Sequence, residues 1–190
     1  MTIDNFKINQ FGKISTAFKE RNVESFYEAI SFMKNLPYGR NENKEDLITV
    51  FADGCGTCST KHALLKTLAT ENNFDGVKLY IGLFKMNSKN TPEISDTLKQ
   101  NNIEYIPEAH CYLKINNEII DATKLDSKPE DFINDLIEEI EIMPNQILNF
   151  KVDYHKKYLE NWLKENEQIK FTLKKIWAIR EQCIKDLATD

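Results

Sequence analysis

The sequence predicts an α+β domain in which a helix packs on a small antiparallel sheet and further helices lie at both ends. The segments 77–84 and 107–123 are rich in residues that favour strands. Apolar residues recur at spacings of three and four over 23–36 and again after Pro144, which is typical of amphipathic helices. The sheet is therefore expected in the middle of the chain.

The region before the sheet predicts a helix, a loop and a turn. The helix over 23–36 ends before Pro37, which has no backbone N–H to donate. Residues 38–46 are polar, and this composition predicts a loop that borders a cleft. The apolar run Leu47–Phe51, closed by Asp53-Gly54, predicts a strand or extended segment that enters a turn.

Cys58 follows this turn and is the candidate nucleophile. Thr57 is suited to be an N-cap, and the apolar stripe after it predicts a helix that continues to about Asn72. Cys58 would then lie in the first helical turn, where unpaired N–H groups and the positive end of the dipole stabilise an anion. Such a position lowers the pKa of a thiol below its free value of roughly 8.5.

His110 and Asp121 belong to a predicted β-hairpin that turns at Asn116-Asn117, because Asn tolerates the positive φ of tight turns. The predicted register pairs Ile115 with Glu118, Leu113 with Ile120, Tyr112 with Asp121, and His110 with Thr123. One face would carry His110, Tyr112, Asp121 and Thr123, and the other Cys111, Leu113, Ile115, Ile120 and Ala122. His110 and Asp121 become diagonal neighbours about 7 to 8 Å apart, within reach of a side-chain hydrogen bond.

These motifs resemble the transglutaminase-like cysteine enzymes of the papain-like superfamily. Gly56-Thr57-Cys58 opens a helix, His110 lies in a strand, and Asp121-Ala122-Thr123 lies in the next strand, in the order that this family uses. The resemblance covers residues 45–125 approximately. It implies that Cys58 is the nucleophile, that His110 is the general base and acid, and that Asp121 holds the histidine.

The resemblance implies a papain-like core and a cysteine acyl hydrolase or transferase that acts on an amide or peptide bond through a thioester. The substrate would be a peptide, a protein or a small amide, with no cofactor and no metal. No Trp precedes Cys58. The expected oxyanion donors are therefore the backbone N–H of Cys58 and an unidentified amide, such as that of Asn41, Asn43 or another side chain.

Other functions stay open for the same residues. Cys55-Gly56-Thr57-Cys58 is a C-x-x-C element, and with Pro107 it also suits a thiol-disulfide redox protein. Zinc binding by Cys55, Cys58 and His62, with His110 or Cys111, is disfavoured because a second C-x-x-C or H-x3-H pair is absent from the sequence. A catalytically silent domain that binds peptide or protein in the same cleft is the non-enzymatic alternative.

The remaining histidines and cysteines are interpreted as structural. His62 is expected to be partly buried near the site, where it could perturb the thiolate, and His155 is expected on the solvated surface. Cys111 and Cys183 are expected in the core.

The chain is interpreted as a catalytic core with an N-terminal helix, residues 1–128, and a helical extension, residues 129–190, that packs on the core. Phe132, Leu136 and Ile140 are spaced for one helix, and the long helical segment after Pro144 is expected to break at Asn166. Its apolar side is expected to carry Tyr154, Tyr158, Trp162, Ile169, Leu173, Ile176, Trp177, Ile184 and Leu187. This stripe favours packing on the core or a homodimer contact between the C-terminal helices.

Composition excludes several classes of partner. The formal net charge of −5 argues against nucleic acid or an anionic membrane held by general electrostatics. No apolar run approaches the roughly 18 residues that span a bilayer, and the segment 1–7 lacks the apolar core of a signal peptide. A cytoplasmic protein with reduced cysteines is therefore expected.

Overall fold

The computed structural model describes residues 5–9 and 11–188, so the first four residues of the segment 1–7 lie outside the described part. The helices are α1 (Lys13–Lys19), α2 (Phe26–Asn35), α3 (Thr49–Ala52), α4 (Cys58–Glu71), α5 (Ser95–Gln100), α6 (Asn149–Glu165) and α7 (Leu173–Asp186). The strands are β1 (Val77–Asn87), β2 (Tyr105–Ile115), β3 (Glu118–Ile120) and β4 (Leu136–Ile142). They form one antiparallel sheet in the order β3-β2-β1-β4, which confirms the α+β class.

The chain forms two compact units whose segments alternate along the sequence. The described residues of the first unit fall within Met1–Ile81, Cys111–Pro129 and Ile140–Leu148. Those of the second unit fall within Gly82–His110, Glu130–Glu139 and Asn149–Asp190.

The first unit is built around α4, which corresponds to the helix predicted after Thr57. Glu71, at the end of α4, accepts hydrogen bonds from the backbone N–H groups of Ile14 at 3.0 Å and Ser15 at 2.6 Å. These groups are among the unpaired donors at the start of α1, a helix that the sequence analysis did not predict. The two helices are therefore joined by a carboxylate that caps one of them.

The β2–β3 hairpin has the predicted register next to its turn. Leu113 pairs with Ile120, Lys114 with Ile119 and Ile115 with Glu118. Asn116 and Asn117 have φ angles of 50° and 66°, as a two-residue turn of this kind requires.

The prediction that the second strand continues through Asp121 to Thr123 is wrong, because β3 ends at Ile120. Two backbone N–H groups beyond it bond to side chains. The N–H of Ala122 donates to His62, and the N–H of Thr123 donates to the carboxylate of Asp121. With these donors occupied, the predicted pairs beyond Leu113–Ile120 do not extend the ladder.

Two predicted elements have a different secondary structure. The strand expected at Leu47–Phe51 is instead the helical turn α3, because the N–H groups of Ile48 and Thr49 bond locally to Asp46. The helix expected from Phe132 and Leu136 is instead the strand β4. A spacing of four residues also fits one face of a strand, and the β-branched residues of β4 favour a strand.

The C-terminal segment breaks at Asn166 as predicted, giving α6 and α7. The buried side of α6 differs from the predicted one. It consists of Lys151, His155, Leu159 and Trp162, whereas Tyr154 and Tyr158 are half-buried. The expectation that His155 lies on the surface is wrong, since its side chain is only 1% exposed.

Across the part of the chain that the structure describes, no helix combines the length and the apolar character required to cross a membrane.

We expect Asn117→Val to lower the free energy of unfolding by roughly 1 to 2 kcal/mol, because a β-branched residue at positive φ is strained. Asn117→Gly is the matched control, since glycine adopts this φ without strain, and it should change stability much less. Urea unfolding of both variants measures the difference. Equal losses in the two variants would contradict the assigned turn.

Candidate active site

Cys58 is the first residue of the 14-residue helix α4, as the sequence predicts. Thr57 caps the helix through a reciprocal pair of hydrogen bonds. The Thr57 hydroxyl accepts from the N–H of Thr60 at 3.4 Å, and the Thr60 hydroxyl accepts from the N–H of Thr57 at 3.0 Å. The Cys58 side chain thus lies at the positive end of a well-capped helix, which favours the thiolate.

Asn41 holds the turn that leads into Cys58. Its amide nitrogen donates to a carboxylate oxygen of Asp53 at 3.1 Å and to the carbonyl of Cys55 at 2.9 Å. Its amide oxygen accepts from the Thr60 hydroxyl at 2.7 Å. Both amide protons of Asn41 are therefore used within the turn, which disfavours Asn41 among the side chains considered as oxyanion donors.

Gly56 allows a lysine side chain to pass directly beneath this turn. The N–H of Gly56 donates to Pro37 and its carbonyl accepts from the N–H of Gly39, so the backbone is held in place. A Cβ atom at Gly56 would lie 2.9 Å from Cγ of Lys61, closer than carbon atoms pack. Gly56 therefore has a packing role above the Lys61 side chain.

Lys61 is fully buried, and the sequence analysis did not single it out. Its Nζ donates to the carbonyl of Leu36 at 2.6 Å and to the carbonyl of Thr123 at 2.7 Å. Burial lowers the pKa of Lys61 to about 8, while the charges of Cys58 and Asp121 oppose that fall. A cation therefore lies inside the first unit, one helical turn after Cys58.

His62 is also fully buried, more than the sequence analysis expected. Its Nε2 accepts from the N–H of Ala122 at 2.7 Å, so the ring is neutral and its proton is on Nδ1. That proton is donated to the carbonyl of Cys58, 2.7 Å away. Both ring nitrogens are bound to backbone groups, which leaves neither of them to act as a base on the Cys58 sulfur.

Asp121 lies just beyond β3 and is 6% exposed. Its Oδ1 accepts from the N–H of Thr123 at 2.9 Å and lies 3.7 Å from Nε2 of His62. Lys61 and His62 of α4 thus bind the two residues that follow Asp121. The structure therefore brings Cys58 and Asp121 into one unit, joined through α4.

His110 belongs to the second unit and is half-buried on β2. Its ring centroid lies 6.1 Å from that of Phe84 and 4.9 Å from that of Phe132. Two aromatic rings therefore lie close to the imidazole.

Cys111 is fully buried in the first unit, which confirms the expected core position. Its sulfur lies 3.5 Å from the hydroxyl of Ser59, and the Cys58 sulfur lies 3.9 Å from the same hydroxyl. Cys111 is therefore a β2 side chain that meets α4 beside Cys58.

Buried polar contacts hold β2 just before His110. In the second unit, Arg180 forms a two-point ion pair with the carboxylate of Glu108. Burial alone would raise the pKa of Glu108, but Arg180 lowers it below its usual value. His155 donates from Nε2 to the carbonyl of Pro107 at 2.8 Å, and burial lowers its pKa. Neither contact can be predicted from the sequence, because the partners are far apart in the chain.

The pKa values of the other two cysteines, Cys55 and Cys183, are both raised. Burial and the charge of Asp53 raise the pKa of the Cys55 thiol, which is the opposite of what a redox C-x-x-C nucleophile requires. Cys183 is fully buried, as expected, and burial raises its pKa to about 12. Among residues 5–9 and 11–188, no three His, Cys, Asp or Glu side chains are grouped to hold a metal ion.

Compared with models of protein families, with curated proteins and with solved structures, the chain matches none of them. Function is therefore inferred from the residues and contacts of the chain itself.

The buried Lys61 gives a pH-dependent contribution to stability. The folded protein releases the Lys61 proton near pH 8, whereas the unfolded chain releases it near pH 10.4. Between these values the unfolded state binds more protons, so the contribution of Lys61 to stability rises with pH. We expect the stability of the wild type relative to Lys61→Met to increase above pH 8 by about 1 kcal/mol per pH unit.

Denaturant unfolding at pH 7, 8, 9 and 10 measures this difference. Lys66→Met on the same helix is the matched control, because Lys66 is only half-buried. The difference in stability between the wild type and Lys66→Met should not increase above pH 8. Parallel curves for the wild type and Lys61→Met would contradict a lowered pKa of Lys61.

Proposed function

We propose that the protein is a cysteine acyl hydrolase or transferase with a papain-like, transglutaminase-like active site. The observation that carries the proposal is the position of Cys58, which begins a capped 14-residue helix with a fully buried lysine one turn further on. The helix terminus and a neighbouring cation both lower the pKa of a thiol, and the thiolate is the reactive form.

The proposed base is His110, as the resemblance to the transglutaminase-like enzymes implies, and the contacts of the other two histidines do not suit that role. His62 uses both ring nitrogens, and His155 donates to a carbonyl inside the second unit. His110 is half-buried, on the strand that also carries Cys111. In the proposal its imidazole takes the proton of Cys58.

Asp121 is suited to orient and charge-stabilise the imidazole of His110. It is a buried carboxylate at the end of the hairpin that also contains His110, and α4 holds the residues after it. A buried carboxylate of this kind keeps the correct histidine tautomer and stabilises the imidazolium that forms during catalysis.

In the proposed reaction the Cys58 thiolate attacks an amide carbonyl carbon, and the C–N bond then breaks. His110 donates its proton to the leaving amine, which gives a thioester on Cys58 and a free amine. His110 next takes a proton from water, whose oxygen attacks the thioester. The carbon–sulfur bond breaks, which releases a carboxylic acid and restores the thiol. Hydrolysis is favoured over cross-linking because water needs no second binding site.

The backbone N–H of Cys58 is the proposed oxyanion donor, now that the side chain of Asn41 is assigned to the turn. The substrate class is a peptide, a protein or a small amide.

Alkylation of Cys58 by iodoacetamide across pH tests the proposal. We expect Cys58 to react at pH 6 about tenfold faster than a free thiol, because a larger fraction of it is thiolate. His110→Ala should reduce this reactivity, whereas Cys55→Ser should not. Mass spectrometry of the labelled peptide measures the alkylation of Cys58 separately from that of the other cysteines.

If Cys58 reacts no faster than a free thiol at pH 6, the result would contradict the proposed enzymatic function and favour a catalytically silent binding domain. Hydrolysis of model peptide amides, with Cys58→Ala as the inactive control, extends the test to turnover. A thiol count that reveals a reversible Cys55–Cys58 disulfide would instead favour the redox function.

A further inference from the structure

We propose that Lys61 is a positioning residue of this site, whose buried ammonium stabilises the Cys58 thiolate and ties the Asp121 segment to the nucleophile's helix. This inference rests on the proposed function of Cys58. It adds a fourth polar group to the Cys58, His110 and Asp121 set that the sequence indicates.

The position of Lys61 relative to Cys58 follows from helix geometry. The two residues are three apart on α4, so their side chains lie on the same side of the helix one turn apart. The Lys61 side chain runs beneath Gly56, where a Cβ atom would lie 2.9 Å from its Cγ. The aliphatic carbons of Lys61 therefore pack directly under the turn that precedes Cys58.

The ammonium is held by backbone carbonyls on two sides. One belongs to Leu36, next to Pro37, whose own carbonyl accepts from Gly56. The other belongs to Thr123, whose N–H donates to Asp121. Because both acceptors are neutral, the positive charge of Lys61 is hydrogen-bonded but not neutralised by them.

Several ionisable groups act on this charge. The charges of Cys55, Asp121 and Cys58 all favour the protonated ammonium, and Lys124 opposes it. His62 is neutral and is bound to backbone groups. Asp53 acts on Cys55 and raises the pKa of that thiol.

The attraction between Lys61 and its anionic neighbours is strong because the side chain is fully buried. Solvent and salt screen such a charge much less than a surface charge. A nearby opposite charge typically shifts a pKa by about one to three units. Removal of the Lys61 charge should therefore raise the pKa of the Cys58 thiol by about one unit, which is a tenfold change in the thiolate equilibrium.

The test compares Lys61→Gln with the wild type, both in a Cys55→Ser background so that Cys58 is the labelled cysteine. Glutamine keeps N–H donors for the carbonyls while it removes the charge. The alkylation rate of Cys58 is measured from pH 4 to pH 10. Lys66→Gln provides the same change of charge on the same helix at a half-buried position.

We expect the rate profile of Lys61→Gln to shift upward by about one pH unit, and that of Lys66→Gln to match the wild type. Profiles that coincide for all three proteins would overturn the inference and leave the proposed function intact. A wild-type Cys58 that behaves as a free thiol would overturn the proposed function itself.

A reciprocal measurement leaves Lys61 unchanged, so it tests the inference even if the Lys61→Gln variant does not fold. NMR titration of the Lys61 side chain is compared between the wild type and Cys58→Ser. Because the two charges are linked, loss of the Cys58 thiolate should lower the pKa of Lys61. An unchanged pKa of Lys61 would overturn the coupling.

Discussion

The structure of the first unit depends on two consecutive side chains of α4. They are hydrogen-bond partners for the backbone of the chain beyond β3, where the ladder has ended. His62 accepts from the N–H of Ala122, and Lys61 donates to the carbonyl of Thr123. A buried backbone group left without such a partner is costly. Because these bonds are satisfied by α4, the segment leaves the hairpin after Ile120 and Asp121 is held next to the helix that begins with Cys58.

This arrangement has an energetic cost that also explains its chemistry. A fully buried lysine is unfavourable in its charged form, and burial accordingly lowers its pKa. The attraction of neighbouring anions offsets part of that cost and favours the protonated form of Lys61. The same attraction favours the ionised forms of Cys58 and Asp121. In the second unit, Arg180 similarly keeps the buried carboxylate of Glu108 ionised, close in sequence to His110.

Local sequence signals predicted the elements that carry the candidate site. Thr57 marked the start of α4, because its cap uses only residues within one helical turn. The Asn116-Asn117 turn predicted the hairpin register, since both residues adopt positive φ. The prediction failed beyond Ile120, where distant side chains and not the turn decide the backbone contacts. β4 was likewise missed because spacing of four suits helix and strand alike, and pairing beside β1 decided between them.

The sequence by itself determined the α+β class, the capped helix at Cys58, the start of the hairpin and the break at Asn166. Each of these depends on capping, turn or periodicity signals between residues close in the chain. Only the tertiary structure decided that Lys61, His62 and His155 are buried, and that Asn41 belongs to a turn. Their environments are made by residues far away in sequence, so burial and hydrogen bonding override what each residue type would favour alone.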